Sequence, residues 1–444
     1  MSTSEIRKKF LEFFNKRGHA IVPSSSLIPE NDPSVMLTTA GMQQFKPYFT
    51  GQKDPLKDFG SQRTCSVQKS FRTTDIELVG DESHLTFFEM LGNFSFGPVA
   101  RDDPNDFGKG GYFKRTAIYL AYEFIVKELG LTIDAVAVFG GARTKSGQEI
   151  PEDKESVAIW KELGFDEKKI FKKGLEENFW GPTGDSGPCG PTTEIYINNV
   201  EIWNIVFNEF FFPGSRDELL YEDSDKKLAE LKNPGVDTGM GLERLAAVLQ
   251  GKKTVFETDL FSPIVSAIET LSQKSPSGFE RQVRILADHS RAAFFLIADN
   301  VVPSNLDRGY ILRRVIRRAL LQARLLNLPQ RAWTEPLIDA TLEIYKNEYP
   351  EINNREKILS ITNEELEKFE KAFEKSLKVF DKVSLNFPRR PGLFAFEMLQ
   401  SHGLPLDLTK DLLLERKINF TERDEIDFYE AFGKHQKISK REEI

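Results

Sequence analysis

The chain has only two cysteines, Cys65 and Cys189, and five histidines in 444 residues. Two thiols build neither a disulfide framework nor a closed zinc site, so no zinc is expected and the cytoplasm is the expected compartment. Long hydrophobic runs are missing too. Ala292–Ala298 is seven apolar residues, against the ~18 needed to cross a bilayer. Arg7, Lys8 and Lys9 are followed by no apolar stretch of the kind that marks a secretory signal. No GxxxxGK[ST] pattern occurs, which excludes a P-loop NTPase. Positive charge is also short overall: 60 basic against 68 acidic residues leave a net −8, unlike a generic nucleic-acid binder. What remains is an ordinary globular balance, 40% apolar and 29% charged, in a length that predicts two or three domains.

The texture changes along the chain. Residues 1–20 read as an amphipathic helix capped by Ser4, with Ile6, Phe10, Phe13 and Phe14 on one face. Strand-like runs follow at Val35–Thr39, Leu85–Phe88, Ala135–Phe139, Thr193–Ile197 and Ile202–Phe207, with a helix over Lys114–Leu129. Their irregular spacing favours an antiparallel sheet with helices around it. Beyond Gly241 the periodicity is helical: Leu242–Gln250, Ser262–Ser272, Val283–Asp299, Gly309–Leu326, Ile358–Val383, Leu393–Ser401, Leu408–Lys417 and Asp424–Phe432. The fold class is therefore α+β, cut near residues 250–260 into a mixed domain (1–250) and an all-helical one (251–444).

Four segments carry chemistry. Val236-Asp237-Thr238-Gly239-Met240-Gly241-Leu242-Glu243-Arg244 opens a helix, and its alternating glycines let backbone approach a ligand. Arg244 stands where a dinucleotide fingerprint needs its third glycine, and no strand–turn–helix unit is read ahead of it, so a phosphate-directed arginine is the reading. Gly181–Thr192 has glycine at every third residue, read as a rigid loop lining a pocket. Lys69-Ser-Phe-Arg72 and His84-Leu-Thr-Phe-Phe88 read as a hairpin with cations beside an aromatic ring, suited to a nucleoside triphosphate. Between Arg281 and Arg331 lie ten arginines, no lysine and three acids (Asp288, Asp299, Asp307), a net +7. There Leu312, Val315, Ile316, Ala319, Leu320 and Ala323 form an apolar stripe, and Arg313, Arg314, Arg317, Arg318 and Arg324 fall mainly opposite it, a face suited to phosphates. Lys437-Ile-Ser-Lys440-Arg, by contrast, reads as a solvated tail.

These segments resemble the catalytic half of the alanyl-tRNA synthetase family, of class II. The resemblance rests on Thr39-Ala-Gly-Met42, Phe87-Phe-Glu-Met-Leu-Gly-Asn-Phe-Ser-Phe-Gly97, Gly184-Asp-Ser-Gly-Pro-Cys-Gly-Pro191, Glu201-Ile-Trp-Asn-Ile-Val-Phe207, Val236–Arg244, Pro303-Ser-Asn305 and Arg308-Gly-Tyr-Ile-Leu-Arg-Arg314. It implies an antiparallel sheet flanked by helices, followed by a helical tRNA-recognition region. It also implies ATP, Mg²⁺, L-alanine and tRNA(Ala) as ligands.

By the same resemblance, Arg72 bridges the ATP α-phosphate and the amino-acid carboxylate, Lys69 assists it, and His84 and Phe88 belong to the second strand of the hairpin, with Phe88 under adenine. Gly241 and Arg244 serve the far phosphates. Asp237 holds the α-ammonium, and Trp180, Asn204, Val206 and Gly239 line a small side-chain pocket. Asn305 and Asp407 read a G·U pair of the acceptor stem, with Arg313, Arg314, Arg317 and Arg318 on its phosphates. Two departures stand out: the loop after Arg72 is short, and Pro98–Gly111 reads as an inserted mobile surface loop. No metal ligand is expected among the site residues, no membrane partner is expected, and without the family's later domains the chain is expected to be monomeric.

Overall fold

The computed structural model describes residues 1–30, 32, 34–222, 225–272, 278–384 and 390–442, the side chains of 383, 384 and 436–442 excepted. The Lys437–Arg441 tail thus lies in a helix whose side chains are outside the described set. Two compact units form: Met1–Thr73 with Glu82–Pro263, and Thr74–Asp81 with Ile264–Ile444. The division falls at Pro263, and eight residues from the middle of the first unit's sequence go to the second.

The first unit holds β1 (Ala20–Ile21), β2 (Arg63–Phe71), β3 (Phe87–Ser95), β4 (Ala135–Phe139), β5 (Ala142–Arg143), β6 (Glu149–Ile150), β7 (Ile170–Lys173), β8 (Phe179–Trp180), β9 (Gly187–Ile197), β10 (Val200–Phe212) and β11 (Ala229–Gly241). The main sheet runs β1-β2-β3-β11-β10-β9-β4-β7, with β8 on β9. Its centre, β2 to β4 in that order, is antiparallel. The two outer pairs, β1–β2 and β4–β7, are parallel, so the sheet is mixed rather than purely antiparallel.

Helices α1 (Thr3–Asn15), α2 (Lys46–Phe49), α3 (Pro55–Phe59), α4 (Lys114–Tyr122), α5 (Lys154–Glu162), α6 (Leu175–Asn178), α7 (Arg216–Leu220) and α8 (Leu242–Leu249) surround the sheet. α1 is capped by Ser2, not Ser4: the Ser2 hydroxyl and Glu5 form a reciprocal capping box. Its Phe10 packs 6.0 Å from Trp203 and 5.4 Å from Phe124, covering the back of the sheet. α4 continues into a π turn over Glu123–Glu128.

Three local readings change. Val35–Thr39 is irregular instead of a strand; its end lends carbonyls to β2, with the Phe71 amide donating to Thr38 at 2.8 Å. The glycine-rich segment is half strand, since β9 starts at Gly187, and a Cβ at Gly190 would sit 1.8 Å from the Phe207 carbonyl oxygen. Pro98–Gly111 is anchored. Asp102 accepts from the backbone amides of Phe113, Arg115 and Thr116 at 2.9–3.0 Å, and Arg63 donates to the Asp106 carbonyl at 2.7 Å.

The second unit holds α9 (Ser262–Ser272, which straddles the division), α10 (Glu280–Ala298), α11 (Asp307–Leu325), α12 (Thr334–Tyr345), α13 (Arg355–Ser384), α14 (Pro391–His402), α15 (Leu406–Glu415) and α16 (Glu422–Glu442). α12 is absent from the sequence reading. The stripe Leu312, Val315, Ile316, Ala319, Leu320 and Ala323 is buried. Among the described residues no helix is long and apolar enough to cross a membrane.

Candidate active site

Side chains alternate across a strand, so β11 places Gly235, Asp237, Gly239 and Gly241 on one face. β11 runs straight into α8, with Gly241 as its N-cap. A strand therefore does frame the motif, contrary to the sequence reading. Three of the four positions carry no side chain, and neighbours fill the space. A Cβ at Gly235 would lie 2.7 Å from the Phe49 ring, and one at Gly239 2.8 Å from Met90 Sδ. Phe49 belongs to a cluster with Met42, Phe45, Phe94 and Phe96, against which Trp180 packs.

Asp237 is the one side chain among these four positions of the face. It is 5% exposed, and among the described residues no hydrogen bond or ion pair reaches its carboxylate. Desolvation alone pushes its pKa up to about 8. Across the ladder Val206 pairs with Asp237, and Asn204 with Gly239, so both share that face. On the far side Asn204 faces Glu194, and its Nδ2 donates to Glu194 at 3.3 Å. Glu194 is held in turn by Tyr196 Oη at 2.6 Å and Lys173 Nζ at 3.2 Å. With its amide oriented this way, Asn204 Oδ1 is buried without a partner among the described residues. A lone carboxylate and an unmet amide oxygen on one face are acceptors for an ammonium. Glu194 and Tyr196 escaped the sequence reading; their signal is the polar alternation in Thr192-Thr-Glu-Ile-Tyr196.

The other end of the face lies on the hairpin. Gly241 pairs with Met90, and Met90 with Gln68. The Phe88 row therefore lies six residues along the strands from the Asp237 row, on the same face. There the Arg72 guanidinium sits 5.0 Å from the Phe88 ring centroid, and its Nε donates to the Thr39 carbonyl at 3.4 Å. Arg244 reaches Glu201, donating to its carbonyl at 3.3 Å with the carboxylate 3.7 Å away.

Two residues stand apart. Lys69 pairs with Glu89 and has the opposite parity to Phe88 and Met90. It is 2% exposed, in the layer where Arg7 bonds Glu89 at 2.8 Å and Glu243 accepts from the Glu89 amide at 3.2 Å. Strand alternation thus turns it away from the Arg72–Phe88 face. His84 lies in the turn leading into β3 and not on the strand, which begins at Phe87.

The arginine-rich stretch is also not the open phosphate face that its composition suggests. Arg318 is 1% exposed and is bound to Asp411 at 3.0 Å and to the Ile76 carbonyl. Arg313 and Arg317 share Glu365 at 3.0 Å, Arg314 lies between Asp407 (3.0 Å) and Glu77 (2.6 Å), and Arg324 meets Glu374 at 2.6 Å. Distant carboxylates fold back onto the helix and neutralise it. Asn305 bonds Arg313, so Asn305 and Asp407 each hold one member of the consecutive Arg313–Arg314 pair.

A sheet with an antiparallel centre, a β2–β3 hairpin bearing an arginine over a phenylalanine, and a strand–helix motif ending in an arginine define a class II tRNA synthetase. Residues 5–444 match the sequence profile of the family described as tRNA synthetases class II (A), and the chain belongs to that family. Relatives 37–40% identical to the chain include alanine–tRNA ligases. That of Rubrobacter xylanophilus is 40% identical across 95% of this chain and 48% of its own length. That of Borrelia hermsii is 38% identical across 99% of this chain and 73% of its own. A Dehalococcoides mccartyi relative is 38% identical across 94% and 47%. The chain thus spans about half the length of the first and third and about three quarters of the second. A solved pyrrolysyl tRNA synthetase from Desulfitobacterium hafniense aligns with a TM-score of 0.33 and 13% identity over 57% of this chain and 71% of that one.

Proposed function

We propose that the chain activates L-alanine with MgATP and passes the alanyl group to the 3′ end of tRNA(Ala). The observation that carries this reading is Asp237, a solitary buried carboxylate on a face otherwise stripped to glycine. Its charge and the Asn204 oxygen receive the α-ammonium. Val206, Asn204, Gly239 with Met90 beside it, and Trp180 line the pocket for the methyl group. Alanine's carboxylate then attacks the α-phosphate in line, forming the mixed anhydride and releasing pyrophosphate. Arg72 neutralises carboxylate and phosphate as they approach, Phe88 stacks on adenine, and Arg244 with Gly241 serves the β- and γ-phosphates. Mg²⁺ enters as part of the MgATP substrate. The attacking carboxylate is already ionised, so positioning and charge stabilisation carry the step without a general base. In the second step a terminal ribose hydroxyl of tRNA attacks the anhydride carbonyl and AMP leaves. Asn305 and Asp407 are assigned to reading the acceptor-stem G·U pair.

Two assays decide between the parts of this reading. Alanine-dependent exchange of pyrophosphate into ATP is expected, and its absence would refute the activation chemistry. Charging of a G·U acceptor stem well above a G·C stem is expected, with Asn305→Ala and Asp407→Ala reducing charging while leaving exchange intact. Equal charging of both stems would refute the recognition roles.

A further inference from the structure

α13 carries Lys368, Lys371, Lys375, Lys378 and Lys382, spaced alternately three and four residues apart. At 3.6 residues per turn these fall on one stripe, ~21 Å long. All five are exposed. Four of the six glutamates of the same helix are engaged elsewhere: Glu365 with Arg313 and Arg317, Glu367 and Glu370 with Arg331, Glu374 with Arg324. Glu367 and Glu374 are the residues four positions before Lys371 and Lys378, the natural helix partners of those lysines. Both are turned towards arginines instead. Among the described residues only Lys368 of the stripe has an ion pair, an exposed one with Glu364. A cleft of about 440 Å³ opens along the stripe, lined by Lys368, Lys371, Lys375, Ser401 and His402.

A lysine face evolved for solubility alone would mix in acids, since a row of like charges repels itself. α13 is instead sorted: Glu365 and Glu374 hold arginines of α11, Glu367 and Glu370 hold Arg331, Asp381 holds Arg416, and four of the five stripe lysines have no ion pair among the described residues. We infer that this stripe is a track for the phosphate backbone of a duplex RNA, and the inference rests on the proposal that tRNA is the substrate. Ammonium groups on flexible stems suit phosphates met at variable distances, and interactions of this kind position a duplex without reading its sequence. They take over the electrostatic role that the self-paired arginines of α11 do not perform, and they leave base recognition to Asn305 and Asp407.

The test is the triple variant Lys371→Gln, Lys375→Gln, Lys378→Gln, compared with a charge-matched control in the first unit, Lys145→Gln, Lys168→Gln, Lys169→Gln. Glutamine keeps the helix propensity of lysine, and circular dichroism checks the fold. Affinity for tRNA(Ala) is measured from 50 to 300 mM salt. The stripe variant should bind about tenfold or more weakly at the low-salt end. Its slope of log affinity against log salt should be shallower by roughly 2–3, near 0.9 for each phosphate that is no longer neutralised. Alanine-dependent exchange and the preference for G·U should be unchanged, and the control should match the parent. An unchanged slope and affinity in the stripe variant, with a parent that binds, would overturn this inference alone. A parent that binds no tRNA would overturn the functional reading and this inference together.

Discussion

Replacing Asp237 by asparagine should stabilise the empty protein while abolishing its use of alanine. Burial raises the carboxyl pKa to about 8, from ~3.9 for an exposed aspartate. Between those values the folded chain holds a proton that the unfolded chain has lost. The contribution to stability is therefore complete below the unfolded pKa and disappears as pH rises through 8, at ~1.4 kcal/mol per unit. At pH 7 the accumulated cost is roughly 4 kcal/mol. Asparagine removes it but leaves an amide in a site with few partners, at ~1–3 kcal/mol. A net gain of about 1–3 kcal/mol should raise the melting temperature of the empty protein at pH 7–8 by several degrees. At pH 4 the gain should vanish.

Ligand binding should show the same titration in reverse. At pH 7 roughly one site in ten is ionised, so alanine must expel a proton to pair with the carboxylate. Calorimetry in buffers of different ionisation enthalpy should count close to one proton released at pH 7 and almost none well above pH 8. The apparent affinity for alanine should fall about tenfold for each unit below pH 8. Asp237→Asn should weaken alanine binding by about two orders of magnitude or more, because a buried charge pair is lost. Zero proton release, or an asparagine variant that melts lower at pH 8 than the parent, would refute the argument.

Two further perturbations bear on the pocket and on the arginines. Gly239→Ala drives a Cβ to 2.8 Å from Met90 Sδ, which itself accepts from the Gly41 amide at 3.3 Å. The KM for alanine should rise at least about tenfold with the KM for ATP nearly unchanged, and equal effects on both would remove Gly239 from the pocket wall. Glu365→Gln withdraws a buried carboxylate from Arg313 and Arg317 and should cost about 2–3 kcal/mol, less than a fully buried pair because the guanidiniums are partly solvated. Glu374→Gln breaks an exposed pair with Arg324 and should cost at most ~1 kcal/mol. Thermal melts that reverse this order would show that the arginines do not depend on these acids.

Local pattern reveals elements whose residues form them unaided. Ala135–Phe139 is read as a strand and is one, and the Leu242–Gln250 and Ser262–Ser272 helices stand to within a residue. Long-range pairing is not legible in this way. Val35–Thr39 has the composition of a strand but gives its carbonyls to Phe71 and Arg72 without joining a ladder. The glycines of the 181–192 segment read as loop because a lone sequence does not show that Phe207 passes within van der Waals contact of Gly190. Asp237 belongs to the same class of problem. Its identity is visible in the sequence, but its solitude, which raises its pKa, depends on which strands lie beside it.

The charges of the helical unit sharpen the point. Counting from Arg281 to Arg331 gives a strongly basic stretch, and composition alone turns that into an RNA surface. The acids that cancel it, Glu365, Glu374, Asp407 and Asp411, lie about 40 to 100 residues further on and enter only when the helices pack. Arginine suits that role because its planar fork bonds two carboxylate oxygens at once and tolerates partial burial. The stretch from Lys368 to Lys382 shows the converse. It is unremarkable by net charge because Glu370, Glu374 and Asp381 interrupt it, yet helical spacing puts the lysines on one stripe while Arg331, Arg324 and Arg416 take up those acids. Net charge over a window therefore identifies neither where the helix is neutral nor where it is basic. The sign of a surface follows from helical phase and from which partners the fold supplies, and that places the solvated cations on α13 and the satisfied ones on α11.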